Sequence, residues 1–467
     1  MTTTPALEVR TLAPEQQLGQ FVTDFQGEEI PPEVRQVVRS VIRTIFGTMV
    51  AGADQDGIAE LRSYLLRQGG VPEARSIIFG DHLPAVNAAL FNGTMARALD
   101  YCDLMVPGLH LGSSVIPAAL AAAELKGPCT GAEFETAVLV GLEVGASLNL
   151  TEEQFDGFDP TGVVGVFAAT ASAARLLELS EEETINALGL AFNRSAGSFQ
   201  SNTDASLAVR LIQGFAASNA IQCVQLAQLG FTGPENFLAG RFGYAHLWGR
   251  DQVEAEDLVA GLGTEWKIIN DFFKKYPCCG LAQGPTDLAF RSIRALDITA
   301  DDIEAIDLYL PEFAFNLIGQ RFEPGSNPRV NAQFSAQYCI VNAIVRGESR
   351  LADFEPTAVA ELVDHPLHER VRVHHDPMIS GHSATRFLLR TFAGEIWAEF
   401  LPIGPGYPGN PLTEAEHAGG FQDCLDYAPY PLEPSQQETL EAAILDIRSV
   451  ADINEVINAL MSQHTPE

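Results

Sequence analysis

Apolar residues recur at three- and four-residue spacing through most of the first half of the chain, the pattern of amphipathic helices. Ile30-Pro31-Pro32-Glu33 predicts a helix start, and Val34, Val37, Val38, Val41, Ile42 and Ile45 form its apolar face before Gly52 stops it. A helix is expected over 58–66, a short extended link at Ile77-Ile78-Phe79-Gly80, and a segment over 84–91 that leads into a central apolar stretch. That stretch, 91–124, predicts a helix through Met95, Ala96, Ala98 and Leu99, then a loop holding Asp100, Asp103, Pro107, Gly108 and His110. An alanine-rich second helix follows, with Ser113 or Ser114 to cap it and Pro117 near its first turn. Helices continue over 131–148 and 163–177, from the Ser180-Glu181-Glu182-Glu183 capping box to Phe192, and over 211–229 up to Gly230. Beyond about Trp266 the period changes. Ile303 to Leu310 and Val371-Arg372-Val373-His374 alternate like half-buried strands, and 385–401 reads as two strands joined through Ala393-Gly394-Glu395. A helix over 332–345 lies between them. After the Gly/Pro-rich hinge 403–411 the pattern is helical again, over 414–425 and 436–461. The reading is a mainly α protein with a smaller α+β domain. Residues 1–267 and 404–467 form a large all-helical domain, and 268–403 form the insert.

A chain of 467 residues is too long for one core, which agrees with two domains. Its 28 basic and 61 acidic residues give a net charge of −33, which disfavours nucleic acid and anionic membranes as partners. An anionic substrate would therefore depend on basic residues inside a cleft. Met1-Thr2-Thr3-Thr4-Pro5 lacks a basic leader, and no run reaches the roughly 20 apolar residues that cross a bilayer, so a soluble, cytoplasmic protein is expected. Seven scattered cysteines read as buried thiols rather than a disulfide framework. The chain has no P-loop and no Gly-x-Gly-x-x-Gly fingerprint, which argues against nucleotide-driven chemistry.

Chemistry concentrates in two places. Asp100, Asp103 and His110 put two carboxylates and an imidazole where two buried helices meet, although Asp103 could equally cap a helix and His110 be a satisfied loop histidine. Lys274-Lys275-Tyr276-Pro277-Cys278-Cys279 offers a proton carrier or carboxylate anchor, or simply two solvated linker lysines. Adjacent cysteines lack Cys-x-x-Cys spacing, and His374-His375 and His365 with His368 lack complementary ligands, so no metal site is expected. Tyr338 reads as a proton donor or a buried aromatic, and Asp159 most simply caps a helix. Residues 195–201 carry hydroxyls without a Gly-x-Ser-x-Gly elbow, which gives serine-nucleophile catalysis little support.

Asn92-Gly93-Thr94, Ala98-Leu99-Asp100-Tyr101-Cys102-Asp103, His110, Pro117-Ala118-Ala119-Leu120, Gly230-Phe231-Thr232-Gly233-Pro234 and the Lys274 to Cys279 run together resemble the MmgE/PrpD family. Ala332-Gln333-Phe334-Ser335-Ala336-Gln337-Tyr338 and Asn410-Pro411-Leu412-Thr413-Glu414 extend the resemblance over nearly the whole chain. It implies a helical domain with an inserted α+β lid, a homodimer, no metal or organic cofactor, and an active site between the domains. The family includes 2-methylcitrate dehydratase, cis-aconitate decarboxylase and iminodisuccinate epimerase. Their reactions move a proton at carbon next to a carboxylate, which needs a base, an acid and support for the developing enolate.

By resemblance, the catalytic residues fall on Asp100, His110, Lys274 and Tyr338. Lys274 and Tyr338 are expected as the proton-transfer pair or carboxylate anchors, with His110 as acid and Asp100 orienting it. Asp103, Lys275, Cys279 and Gln337 are expected around the substrate. Leu104, Asp159 and Val209 join them as departures from the family pattern, in place of threonine, histidine and lysine, and Arg210 compensates only if its helix is rotated or shifted. Gly420 likewise stands where a lysine often precedes Phe421. An unpaired buried anion costs several kcal/mol, roughly, so these losses predict a small carboxylic acid with fewer carboxylates or a larger apolar substituent than 2-methylcitrate. The expected activity is a cofactor-independent dehydratase or decarboxylase. An epimerase of a dicarboxylate such as iminodisuccinate, or a silent scaffold of the same fold, are the alternatives.

Overall fold

The computed structural model describes residues 12–204 and 206–465; the leader-free reading of Met1 to Pro5 lies outside them. The described chain is mainly α with a minor β part. Among the described residues no helix is long and apolar enough to cross a membrane.

Helix α1 (Pro32–Ala51) starts on its proline and buries Val34, Val38, Val41, Ile42 and Ile45. Helices α2 (Ala85–Arg97) and α3 (Gly112–Lys126) bracket the central loop, and α4 (Gly131–Leu148), α5 (Val166–Leu176), α6 (Glu181–Phe192) and α7 (Ala208–Gln228) pack around them. The Ser180 hydroxyl accepts the Glu183 N–H at 3.3 Å while Glu183 accepts the Ser180 N–H at 2.9 Å, the reciprocal cap read in the sequence. Helices α2 and α7 cross where only glycine fits: a Cβ on Gly93 would lie 2.9 Å from the Gly214 Cα. That close approach brings Arg97, one turn beyond Gly93, towards Arg210, one turn before Gly214.

The smaller part contains α8 (Gln283–Leu296), strand β1 (Ile303–Leu310), α9 (Ala336–Arg346), and strands β2 (Val371–His375), β3 (Thr385–Thr391) and β4 (Ile396–Leu401). The sheet order is β2-β1-β3-β4. Strand β1 runs parallel to β2, with Leu308 opposite Val373, and antiparallel to β3, which forms a hairpin with β4. Helix α10 (Glu414–Tyr427) then packs against α1. One hydrophobic core gathers residues from Leu18 to Phe273 together with Leu412 to Leu460. A second gathers Tyr276 to Leu389, and a small cluster of Ala51, Leu99, Tyr101, Leu351 and Cys424 sits where the two meet.

Several local expectations are corrected. Helix α2 stops at Arg97, before Leu99, because the chain then turns left-handed at Asp100 (φ 52°). Asp103 rather than Ser113 or Ser114 holds the start of α3, its Oδ2 accepting the Gly112 N–H at 2.8 Å. Residues 77–80 form the turn of a small ribbon between Ala74–Arg75 and His82–Leu83, not an extended link. The helix expected over 332–345 is two, Pro328–Gln333 and α9, because Ser335 caps the second by accepting the Tyr338 N–H at 3.2 Å. The last helical stretch is likewise broken, into Pro434–Leu445 and Asn454–Ala459. Helix α8 was not anticipated, its Gly284-Pro285 start reading as a turn in sequence.

Candidate active site

The left-handed turn at Asp100 aims its carboxylate across the junction of the two cores. One oxygen, Oδ2, lies 2.9 Å from the Lys274 Nζ, and the other, Oδ1, lies 2.6 Å from Nη1 of Arg97. The Lys274 ammonium also donates to the Asp100 backbone carbonyl. The side chains of Lys274 and Arg97 are 2% and 7% exposed, so this ion triad is held almost out of water. Burial alone would raise the Asp100 carboxyl. The charges of Lys274 and Arg97 outweigh it and hold the group well below the usual carboxylate range. One carboxylate thus serves two cations, and the cluster keeps a surplus positive charge.

His110 lies beside this triad. Its Nδ1 is 2.7 Å from the Asp103 carbonyl, which can only accept, so Nδ1 carries the proton and Nε2 is left as an acceptor. Burial and the charge of Arg97 push the imidazole well below its ordinary pKa despite Asp100, so it is neutral at physiological pH. Its backbone N–H donates to the Thr161 hydroxyl at 2.9 Å, at the start of a π-type turn over Thr161–Gly165. The hydrogen-bond partner of the His110 ring is therefore the Asp103 carbonyl, which fixes the orientation of the imidazole. Cys102, 3.3 Å from Nδ1, is a thiol whose pKa burial pushes up to about 12.

Behind the loop a second carboxyl faces inward. The Asp103 Oδ1 and both carboxyl oxygens of Asp271 are buried and have no hydrogen-bond partner among the described residues. Burial raises Asp103 to about 6, and burial and the charge of Asp103 push Asp271 well above the carboxylate range. Residues 104 and 272 exchange backbone hydrogen bonds of 3.0 and 2.9 Å, which locks the His110 loop to the segment that carries Lys274.

The remaining expected site residues divide. Cys279 lies near enough to Lys274 for that charge to act on it, though burial dominates and raises its thiol to about 12. Asp159 is buried. Its Oδ1 accepts the Gly162 N–H at 2.9 Å, which is the capping role, and burial raises its carboxyl while Arg97 opposes that shift. Leu104 and Val209 are half-buried. Arg210 donates to the Asp56 carbonyl at 2.6 Å; burial lowers its pKa, and the nearby charges of Arg329 and Arg97 lower it further.

Lys275 points away, bridging Asp287 and Glu416 at 2.8 Å each. Tyr338 and Gln337 lie in the smaller part of the chain, apart from the triad's own contacts. Tyr338 is fully buried in the smaller core, donating to the Asp353 carbonyl at 2.6 Å and packed on Phe322 and Phe354. The Gln337 amide donates to the His368 carbonyl at 2.7 Å and accepts the Phe322 N–H at 2.7 Å. Both side chains are committed to holding that core, not to the junction. A Cβ at Gly420 would lie 3.1 Å from the Tyr101 hydroxyl, so a side chain there needs Tyr101 to give by a few tenths of an ångström.

Arg97 was missed by sequence reasoning, although it is the one charge in an otherwise uncharged helix and stands three residues before Asp100. A broad surface hollow elsewhere contains Lys126, Arg175 and Arg448, but these pair with Glu133, Glu178, Glu135 and backbone carbonyls. Among the described residues no group of three or more His, Cys, Asp or Glu could hold a metal ion.

A dry cation–carboxylate cluster with a neutral imidazole at its side is chemically able to hold an anion and to accept a proton. The chain belongs to the MmgE/PrpD family: the MmgE/PrpD N-terminal domain matches residues 16–255 and the C-terminal domain matches 276–446. It is 24% identical to the cis-aconitate decarboxylase-like protein oryM of Aspergillus oryzae, over 96% of both chains. It is 29% identical to the cis-aconitate decarboxylase of Aspergillus terreus over 46% of each chain, and 26% identical to the 2-methylcitrate dehydratase of Escherichia coli over 63% of this chain and 64% of that one.

Proposed function

We propose that this protein is a lyase of the MmgE/PrpD type that acts without a cofactor on a carboxylic acid, by proton transfer at the carbon next to a carboxylate. The observation that carries the reading is the junction of the Lys274–Asp100–Arg97 triad with the bare Nε2 of His110. In a dehydration, Nε2 takes the proton from the carbon beside the carboxylate. That electron pair forms the new double bond as the neighbouring carbon–oxygen bond breaks, and the leaving hydroxyl takes a proton from the Lys274 ammonium. In a decarboxylation, the bond to the departing carboxylate breaks, carbon dioxide leaves, and the electron pair at carbon takes a proton from the Lys274 ammonium. In both, Lys274 lies where negative charge develops and Asp100 fixes its position.

The substrate we favour has fewer carboxylates or a larger apolar substituent than 2-methylcitrate, because Leu104 and Val209 are apolar and Asp159 is acidic. Residues 268–403 act as a lid that opens for entry, and the working unit is a homodimer. The test is a panel of cis-aconitate, 2-methylcitrate, smaller dicarboxylates and alkyl-substituted acids, followed by proton NMR in heavy water. An alkene or decarboxylated product supports the lyase. Deuterium entering recovered acid without loss of water or carbon dioxide gives the epimerase, and no turnover with no shift of Tm by any acid overturns both.

A further inference from the structure

Arg97 does more than neutralise Asp100. Its Nε is buried and has no hydrogen-bond partner among the described residues. Leaving such a donor unmet is costly, more so for a charged group, and an acceptor arriving with a ligand would relieve it. Its Nη1 is spent on an oxygen of Asp100 whose carboxylate Lys274 already shares. Arg210, brought alongside by the Gly93–Gly214 crossing, repels it, and Arg329 from the smaller core repels Arg210 in turn.

The other acid within reach does not relieve this. Asp159 acts on Arg97 electrostatically but spends Oδ1 on the Gly162 N–H. Converging cations with an unmet donor, in a chain of net charge −33, are what a bound anion would bridge. A guanidinium fork matches the two oxygens of a carboxylate, whereas the ammonium of Lys274 is a point charge suited to the reacting end.

We infer that Arg97, faced by Arg210, receives a second carboxylate of the substrate, remote from the reacting carbon, so that the site is built for a dicarboxylate. The inference rests on the lyase reading above and names its substrate class. Asp100 stands between the two cationic stations and keeps them apart.

Succinate and propionate differ by that second carboxylate, and ligand-observed NMR titration of each against the wild type, R97M and R97K tests the inference. The wild type is expected to bind succinate at least about tenfold more tightly than propionate. R97M weakens succinate about 10- to 100-fold more than it weakens propionate. R97K keeps the charge beside Asp100 and recovers part of the succinate affinity. Where R97M melts early, R97K alone decides, by weakening succinate more than propionate. Equal weakening of both acids makes Arg97 a support for Asp100 only and overturns the inference while the lyase reading stands. A wild type with no preference for succinate also overturns it. A wild type that binds neither acid and turns over no carboxylic acid removes the lyase reading as well.

Discussion

Asp271→Asn should make the protein more stable as pH rises, although it alters a fully buried side chain. Both Asp271 oxygens are without partners among the described residues, and the Asp103 carboxyl beside it has one oxygen in the same state. The folded state binds protons at this pair more tightly than the unfolded chain does, so unfolding releases protons and stability falls as pH rises. For Asp103 the window runs from the ordinary value of 3.8 to about 6. Two pKa units at about 1.4 kcal/mol each give ~3 kcal/mol lost across it. Asp271 is pushed well above the carboxylate range, so its own window extends to higher pH.

An amide at 271 carries no charge and still offers a proton towards Asp103. The assay is urea unfolding followed by far-UV circular dichroism from pH 5 to 8.5, for wild type and D271N. The gap between them should be small at pH 5 and widen in favour of D271N as pH rises to 8.5. Glu143 and Asp423, raised by burial to about 7 and about 6, bend both curves alike and cancel in the difference. A gap that does not change with pH, or a variant that is weaker at pH 8.5, would refute the shared-proton account.

Other expectations follow from the same geometry. Because His110 is neutral well below pH 6.5, kcat/KM should stay level as pH falls from 8 to 6; a loss centred on the ordinary histidine value would show an unshifted imidazole. K275M should keep kcat within a few-fold and lose about 1 kcal/mol or less of stability, since Lys275 only ties Asp287 to Glu416 near the surface; a large fall in kcat would place it in the site. G93A should lower stability by about 1–3 kcal/mol, measured as the urea midpoint, because its Cβ meets backbone at 2.9 Å; no change would mean that the α2–α7 crossing can slide apart.

Much of the architecture was legible because its signals are local. Pro32 and Gly52 bound α1, the Ser180–Glu183 box starts α6, and the alternation of Ile303 to Leu310 is strand β1 residue for residue. The family assignment was legible from the order of motifs. What escaped depends on partners distant in the chain. Asp103 could be seen as a cap in principle, but Ser113 and Ser114 offered nearer hydroxyls, and only the fold decides between them. Tyr338 sits in a motif that reads as catalytic, yet its hydroxyl goes to the Asp353 carbonyl and its ring to Phe322. Arg97 stands alone as a charge in an apolar helix, and its meaning comes from Lys274 on the other side of one carboxylate.

The central claim is that Lys274 and His110, brought together around Asp100, carry out the proton transfer. It is tested most directly by the kcat of K274M and H110Q on the acid that the wild type turns over best. Each variant should keep the native circular dichroism spectrum and lose about 10²- to 10⁴-fold in kcat. A folded K274M or H110Q that turns over at the wild-type rate would contradict the account.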